Sequence, residues 1–431
     1  MRSIIKRITR SFVVFLLPLL PLSAQSDGEN IRSTLRGEVI DRPQSSRLIL
    51  IKQGGDPRFN MVYIPITNGK FEHILNCNHE EQYELWFYDE FEQGSVRPVS
   101  FFSENGIINF ALHPTDQYDK NIVEGGKLNK EYRDFFIANM NKVQPLYDAL
   151  NARRERLREE GNYYTPETQS LLDQMSASTD ETERRALSEK FQKMRSEGLD
   201  ITMAAKEVQK SGDSVELVMQ QWKLQYAREL PNIVGYSILM SEVNSIIQRN
   251  RYFQTQFDVF PHADVYQTIF APKYPDHPYT AKMIDLFTGS SLKSGTPFID
   301  FTAVDMNGKT VTLSERIAGK PTVLHLWASW CGPCRQKGKE LIPVYEEFRD
   351  KGLVVVGIAR ERSMSSAEAA IKLDKYPWEN LVELNDVEQI WVKYGIGNSG
   401  GSHFLIDEKG TVIAVAPSIE EIRDFLAKEL K

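Results

Sequence analysis

Cysteine is scarce in this chain: Cys77, Cys331 and Cys334 are the three it has in 431 residues. That excludes a disulfide-stapled scaffold. It also argues against a structural zinc site, because one C-x-x-C supplies two ligands and neither a second one nor a paired-histidine cluster completes four. Excess positive charge is missing as well. The formal net charge is −7, a poor balance for binding nucleic acid or an anionic membrane surface. Fixed-period repeats are absent. Long apolar runs are absent too, except near the start, where SFVVFLLPLLPL falls short of the roughly 20 residues a membrane-spanning helix needs and is broken by Pro18 and Pro21.

That run follows Arg2, Lys6, Arg7 and Arg10 and precedes Ser23-Ala24-Gln25, the charged, apolar and small-residue order of a secretory signal peptide over residues 1–24. Cleavage after Ala24 removes four positive charges and no negative ones, taking the charge from −7 to −11. The expected product is an exported, periplasmic protein, soluble after cleavage; an uncleaved anchor is the alternative.

Length and a 41% hydrophobic content allow two or three globular domains. Residues 31–115 read as an all-β domain. Seven short runs rich in β-branched and aromatic residues, from GEVIDR to GIINFAL, are separated by turn chemistry, which suggests a small sandwich or partly closed barrel. Asn68-Gly69 predicts a hairpin between NMVYIPIT and KFEHILN. Cys77, near the end of the fourth run, reads as a buried strand residue, with a mixed-disulfide or dimer-forming thiol as the other reading. Residues 128–290 turn helical. Phe135, Phe136, Met140, Val143, Leu146 and Leu150 form a stripe of helical period. The charged run NARRERLREE continues it as a solvated face, and Ser178 or Thr179 is the candidate N-cap of a later helix. This middle could be a spacer, a dimer interface or a wall of the substrate cleft. SSLKSGTP (290–297) reads as a linker into an α/β domain over 295–431 with a mixed sheet. There DVEQIWVKYG is a predicted helix, and hairpins are predicted across Asn307-Gly308 and Glu408-Lys409-Gly410.

The chemistry concentrates in Trp330-Cys331-Gly332-Pro333-Cys334, delivered by the apolar run PTVLHLWAS. Two cysteines two residues apart fit the first turn of a helix, where unpaired N–H groups and the positive dipole end favour a thiolate. Pro333 suits a first turn, which needs no N–H there, and Gly332 leaves the backbone beside the sulfurs open to a partner chain. This is a thiol–disulfide exchange site. The pair itself is the redox group, and neither a cofactor nor a metal is called for.

PFIDFTAVDMNGKTVTLSE, GKPTVLHLWASWCGPCR and HFLIDEKGTVIA resemble the exported, thioredoxin-fold TlpA and ResA group of thiol:disulfide oxidoreductases, relatives of the AhpC/TSA peroxiredoxins. The β-rich segment is similar to the small N-terminal domain often fused to such proteins in Bacteroidetes. The resemblance implies that Cys331 is the nucleophile and that Cys334 resolves the mixed disulfide. It implies disulfide-containing exported proteins as substrates and a membrane partner as electron donor.

Three positions depart from the group's pattern. Gly401 stands where a cis-proline is usual, so a trans loop is expected. His325 stands beneath the motif where thioredoxins bury an aspartate, either as a proton relay for Cys334 or as a core histidine bonded to a backbone carbonyl. Lys337 replaces a glutamate and, with Arg335 and Lys339, puts three cations after Cys334, which either lower thiolate pKa values or attract acidic targets, or else form a solvated face. His403 reads as a surface loop residue. A peroxidase is the nearest alternative activity, but Ala328 and Leu324 stand where peroxiredoxins place a threonine or serine and a proline. A binding or assembly protein with a vestigial thioredoxin-like domain is the alternative from another class.

Overall fold

The computed structural model describes residues 30–253, 255–317, 319–398 and 400–430; the signal-peptide reading, on residues 1–24, lies outside them. The N-terminal region holds two four-stranded sheets among the described residues. In the first, the strand Ile31–Val39 lies between Lys70–Cys77, antiparallel, and Gly106–Leu112, parallel, with Ile122–Glu124 at the edge. The second, Val62–Pro65, Arg47–Lys52, Gln82–Phe87 and Val99–Phe102, is antiparallel throughout. Alternation along a strand sends every second side chain to one face. Leu35, Phe71, Ile108 and Phe110 of the first sheet thus share one core with Leu48, Leu50, Leu85 and Phe101 of the second.

The Asn68-Gly69 turn forms, with φ of +53° and +70°, but the predicted hairpin does not extend from it. One bridge, Thr67 to Lys70, closes the turn, and the two strands then part into different sheets. Ile64 and Phe71 face the shared core from its two sides, so burial overrides the local pairing preference. Cys77 ends its strand half-buried rather than buried.

The middle is helical. Lys127–Glu159 includes the charged run and carries Pro145 inside it. It packs with Met203–Glu229, which in turn packs with Ile233–Phe253. The N-terminus of the long helix is clasped from outside: the Glu104 carboxylate accepts the N–H groups of Lys127 at 2.8 Å, Leu128 at 3.3 Å and Asn129 at 3.1 Å. Gly126, at φ +74°, leaves the space that carboxylate occupies. The cap of Glu181–Ser196 is Asp180, whose Oδ1 accepts from Thr182 and Glu183. It is not Ser178 or Thr179, because Asp180 is the residue one step before the first turn.

The C-terminal region is a seven-stranded mixed sheet. Its centre is three parallel strands, Thr322–Trp327, Val354–Glu361 and Glu379–Leu384. The Thr302–Asp305/Thr310–Thr312 hairpin flanks Glu379–Leu384, and the Ser402–Ile406/Val412–Val415 hairpin flanks Thr322–Trp327. The helices Gly332–Phe348 and Ile419–Glu429 pack together, and Met364–Asp374 packs on the Val354–Glu361 strand. The predicted linker is not free chain: Gly295 donates to the Val412 carbonyl and Val412 to that of Thr296, extending the last hairpin. DVEQIWVKYG yields only the short helix Ile390–Lys393. Asp386 and Gln389 ahead of it adopt positive φ, and the Asp386 carboxylate is committed to Arg360.

Candidate active site

Every residue of Thr322–Trp327 is buried, as expected of a parallel strand covered on both faces. Leaving its carboxyl end, the chain turns through Ser329 and Trp330 and enters the Gly332–Phe348 helix at the motif. Cys331 is the N-cap of that helix, and its Sγ accepts the N–H of Cys334 at 3.3 Å. Cys331 and Cys334 are disulfide-bonded, with their Cα atoms 5.3 Å apart. Once the bond is reduced, the helix N-terminus that holds the Cys331 sulfur favours its thiolate. Pro333 lies in the first turn, and a side chain at Gly332 would meet nothing within 4 Å.

Gly400 and Gly401 face the pair. A Cβ at Gly400 would sit 3.8 Å from the Cys331 sulfur and 3.9 Å from that of Cys334. The Gly401 N–H donates to the Cys334 sulfur at 3.0 Å. A Cβ at Gly401 would collide with the Leu326 carbonyl, because the next residue, Ser402, pairs with Leu326. No cis peptide bond occurs among the described residues.

Beneath the cysteines, His325 and His403 are register partners on adjacent strands, with ring centroids 4.8 Å apart. His403, at 2% exposure, is a core residue and not a surface loop residue. The alternation of Ser402–Ile406 and its pairing with the central strand carry its ring inward. His325 Nε2 lies 3.2 Å from the Cys334 carbonyl oxygen, and its contact is with that backbone oxygen. Burial pushes its pKa down to about 3, opposed by the carbonyl contact and aided by Lys337. Burial drives His403 well down too, with His325 and Lys337 adding to the shift. Both imidazoles are therefore neutral at neutral pH.

Of the three cations after Cys334, Arg335 is committed: its Nε and Nη2 donate to the Asp374 carboxylate at 2.6 and 2.9 Å. Lys337 and Lys339 are exposed. On the other side of the motif, Glu361 accepts the Ser329 hydroxyl at 2.9 Å and also its N–H. Burial raises the Glu361 pKa against the effect of those two bonds.

The N-terminal region also reaches the motif. Arg58, in the loop after Arg47–Lys52, stacks its guanidinium 3.6 Å above the Trp330 ring. Asp56 accepts from Arg58 Nη1 at 2.8 Å and pairs with Arg360 Nη1 at 3.2 Å. Arg360, 1% exposed, also binds Asp386 through Nε at 2.8 Å and the Asn398 side chain at 3.1 Å. Sequence reasoning missed Arg58, Asp56, Arg360, Glu361 and Asp374. The one available signal was the charged Arg360-Glu361-Arg362 directly after an apolar strand run; Asp56 read only as part of the Gly54-Gly55-Asp56-Pro57 turn, and Arg58 carried no signal.

A strand order of two antiparallel hairpins around three parallel strands, with a C-x-x-C disulfide capping the helix after the central strand, defines a thioredoxin-fold domain. The AhpC/TSA family model matches residues 294–415, and that part of the chain is similar to thiol-disulfide oxidoreductases of the ResA type. The thiol-disulfide oxidoreductase ResA of Bacillus thuringiensis (strain Al Hakam) is 27% identical over 116 residues, 26% of this chain and 64% of the relative. The thiol:disulfide interchange protein DsbE of Pseudomonas fluorescens biotype C is 31% identical over 127 residues, 27% of this chain and 63% of the relative. The chain thus spans less than two thirds of the length of these relatives. Among solved structures, the thioredoxin domain of a thiol-disulfide oxidoreductase from Bacteroides vulgatus is similar at 25% identity. It covers 33% of this chain and all of that one, with a TM-score of 0.30.

Proposed function

We propose that this protein is an exported, periplasmic thiol–disulfide oxidoreductase that reduces disulfides in other exported proteins. The observation that carries the reading is the Cys331–Cys334 bond at a helix N-terminus, with Gly400 facing both sulfurs and open space beside Gly332. In the reduced protein the Cys331 thiolate attacks one sulfur of a target disulfide. A mixed disulfide forms and the other target sulfur leaves as a thiolate. Cys334, as thiolate, then attacks Cys331 Sγ, restores the internal disulfide and frees the second target sulfur. Two electrons and two protons pass to the target. An oxidising compartment does not regenerate the dithiol, so a membrane partner supplies the electrons.

Insulin reduction tests the reading: turnover by the wild type and its loss in Cys331→Ser are expected. Equal rates in both would overturn it. The reduction potential of the pair sets the direction. A value near thioredoxin's, about −270 mV, agrees with a reductase, and one near DsbA's, about −120 mV, contradicts it.

A further inference from the structure

Cys331 is 4% exposed although it carries the sulfur that must meet a target disulfide. Thiol–disulfide exchange needs the incoming sulfur to approach along the line of the breaking bond, so whatever covers Cys331 decides what can react. Its neighbour Trp330 is covered by Arg58 of the N-terminal region. The Arg58 side chain is in turn held at three points: by Asp56 at 2.8 Å, by the Asn398 carbonyl at 3.3 Å and by the indole face. Asn398 belongs to the segment leading into Gly400-Gly401, which faces both sulfurs. Beneath Arg58, Arg360 ties Asp56 to the Asn398 side chain, and its guanidinium lies 5.0 Å from the Trp391 ring, which packs 5.7 Å from that of Trp330. One planar cation therefore bridges the motif and the segment opposite it.

We propose that Arg58 is a specificity-determining residue of the redox site: with Asp56 and Arg360 it locks residues 54–60 onto Trp330 and Asn398 and narrows the approach to Cys331 to small or extended disulfides. This rests on the thiol–disulfide reading of the same site. Disulfides in a slender, unfolded segment reach the sulfur between Trp330 and the glycines. A broad folded surface meets the loop first. Lysine at this position keeps a charge for Asp56 but loses the planar stack on the indole.

The test is alkylation of Cys331 in the full-length protein, on a Cys77→Ser, Cys334→Ser background that leaves Cys331 as its single thiol. Wild type, Arg58→Ala and Arg58→Lys are compared with iodoacetamide and with a polymer-tagged maleimide. Rates are taken at the high-pH limit, where every thiol is ionised and a changed pKa drops out. In both variants the polymer reagent is expected to gain about fivefold over iodoacetamide, the shift expected from losing a contact of this kind. An unchanged ratio, or equal acceleration with both reagents, overturns the proposal, because general loosening does not discriminate by size. Circular dichroism and thermal midpoints check that the variants are folded. Alkylation does not depend on turnover, so failure of the redox reading, seen as cysteine-independent insulin kinetics, is told apart from failure of this one.

Discussion

Lowering the pH should weaken this domain through His325. The imidazole is 1% exposed, touches one carbonyl at 3.2 Å and has its pKa pushed down to about 3. A base held neutral in the fold contributes no penalty above its unfolded pKa of about 6.5 and costs stability as pH falls from there toward its folded value. Between about pH 7.5 and about pH 5 the unfolded state gains most of a proton and the folded state almost none, which amounts to about 2 kcal/mol from this residue. The His403 shift acts in the same direction. The assay is urea unfolding at the two pH values, followed by tryptophan fluorescence, since Trp327 stacks on His325 and Trp378 lies nearby. The drop in wild type should exceed that in His325→Gln by about 2 kcal/mol, the loss assigned to this one imidazole. An equal drop in both proteins, or a His325 ring resonance titrating near pH 6.5, would refute the reasoning.

Other perturbations test other joints of the structure. Arg360→Ala leaves the half-buried Asp386 carboxylate without its cation and the buried Asp56 with Arg58 alone; a loss of about 3 kcal/mol is expected in chemical denaturation, and a loss below about 1 kcal/mol would mean that the network is a solvated one. Gly401→Ala drives a methyl into the Leu326 carbonyl; about 1–3 kcal/mol of stability should go, together with slower insulin reduction. Glu104→Ala strips three N–H groups at the start of the long helix of their acceptor. About 1–2 kcal/mol is expected, seen as a lower thermal midpoint in far-UV circular dichroism.

The motif was legible because its information is local: a buried strand, a turn and a helix start lie within about fifteen consecutive residues, and each leaves its own pattern. Asp180 as a cap was within reach of the same rules and was displaced by nearby hydroxyls. What surrounds the motif was not legible, for a different reason. Asp56, Arg58 and Arg360 meet across a sequence separation of some three hundred residues, and nothing periodic marks an ion that will be buried. His403 and His325 are neighbours only through sheet register, which one sequence does not fix for distant strands. The Asn68-Gly69 turn makes the complementary point. Its geometry followed from its residues, while the destination of its strands followed from which faces had to be covered.

The Glu104 clasp bears on how the molecule can be divided. From composition, the stretch between the last long N-terminal strand and the first long helix is where an experimenter would place a truncation. Yet the carboxylate that closes the helix lies on the far side of that cut. A fragment starting after residue 115 would have a bare helix end, and one ending there would have a buried acid with nothing to hold. Limited proteolysis should therefore spare this junction, and the two regions should be expressed, cut and transplanted as one piece.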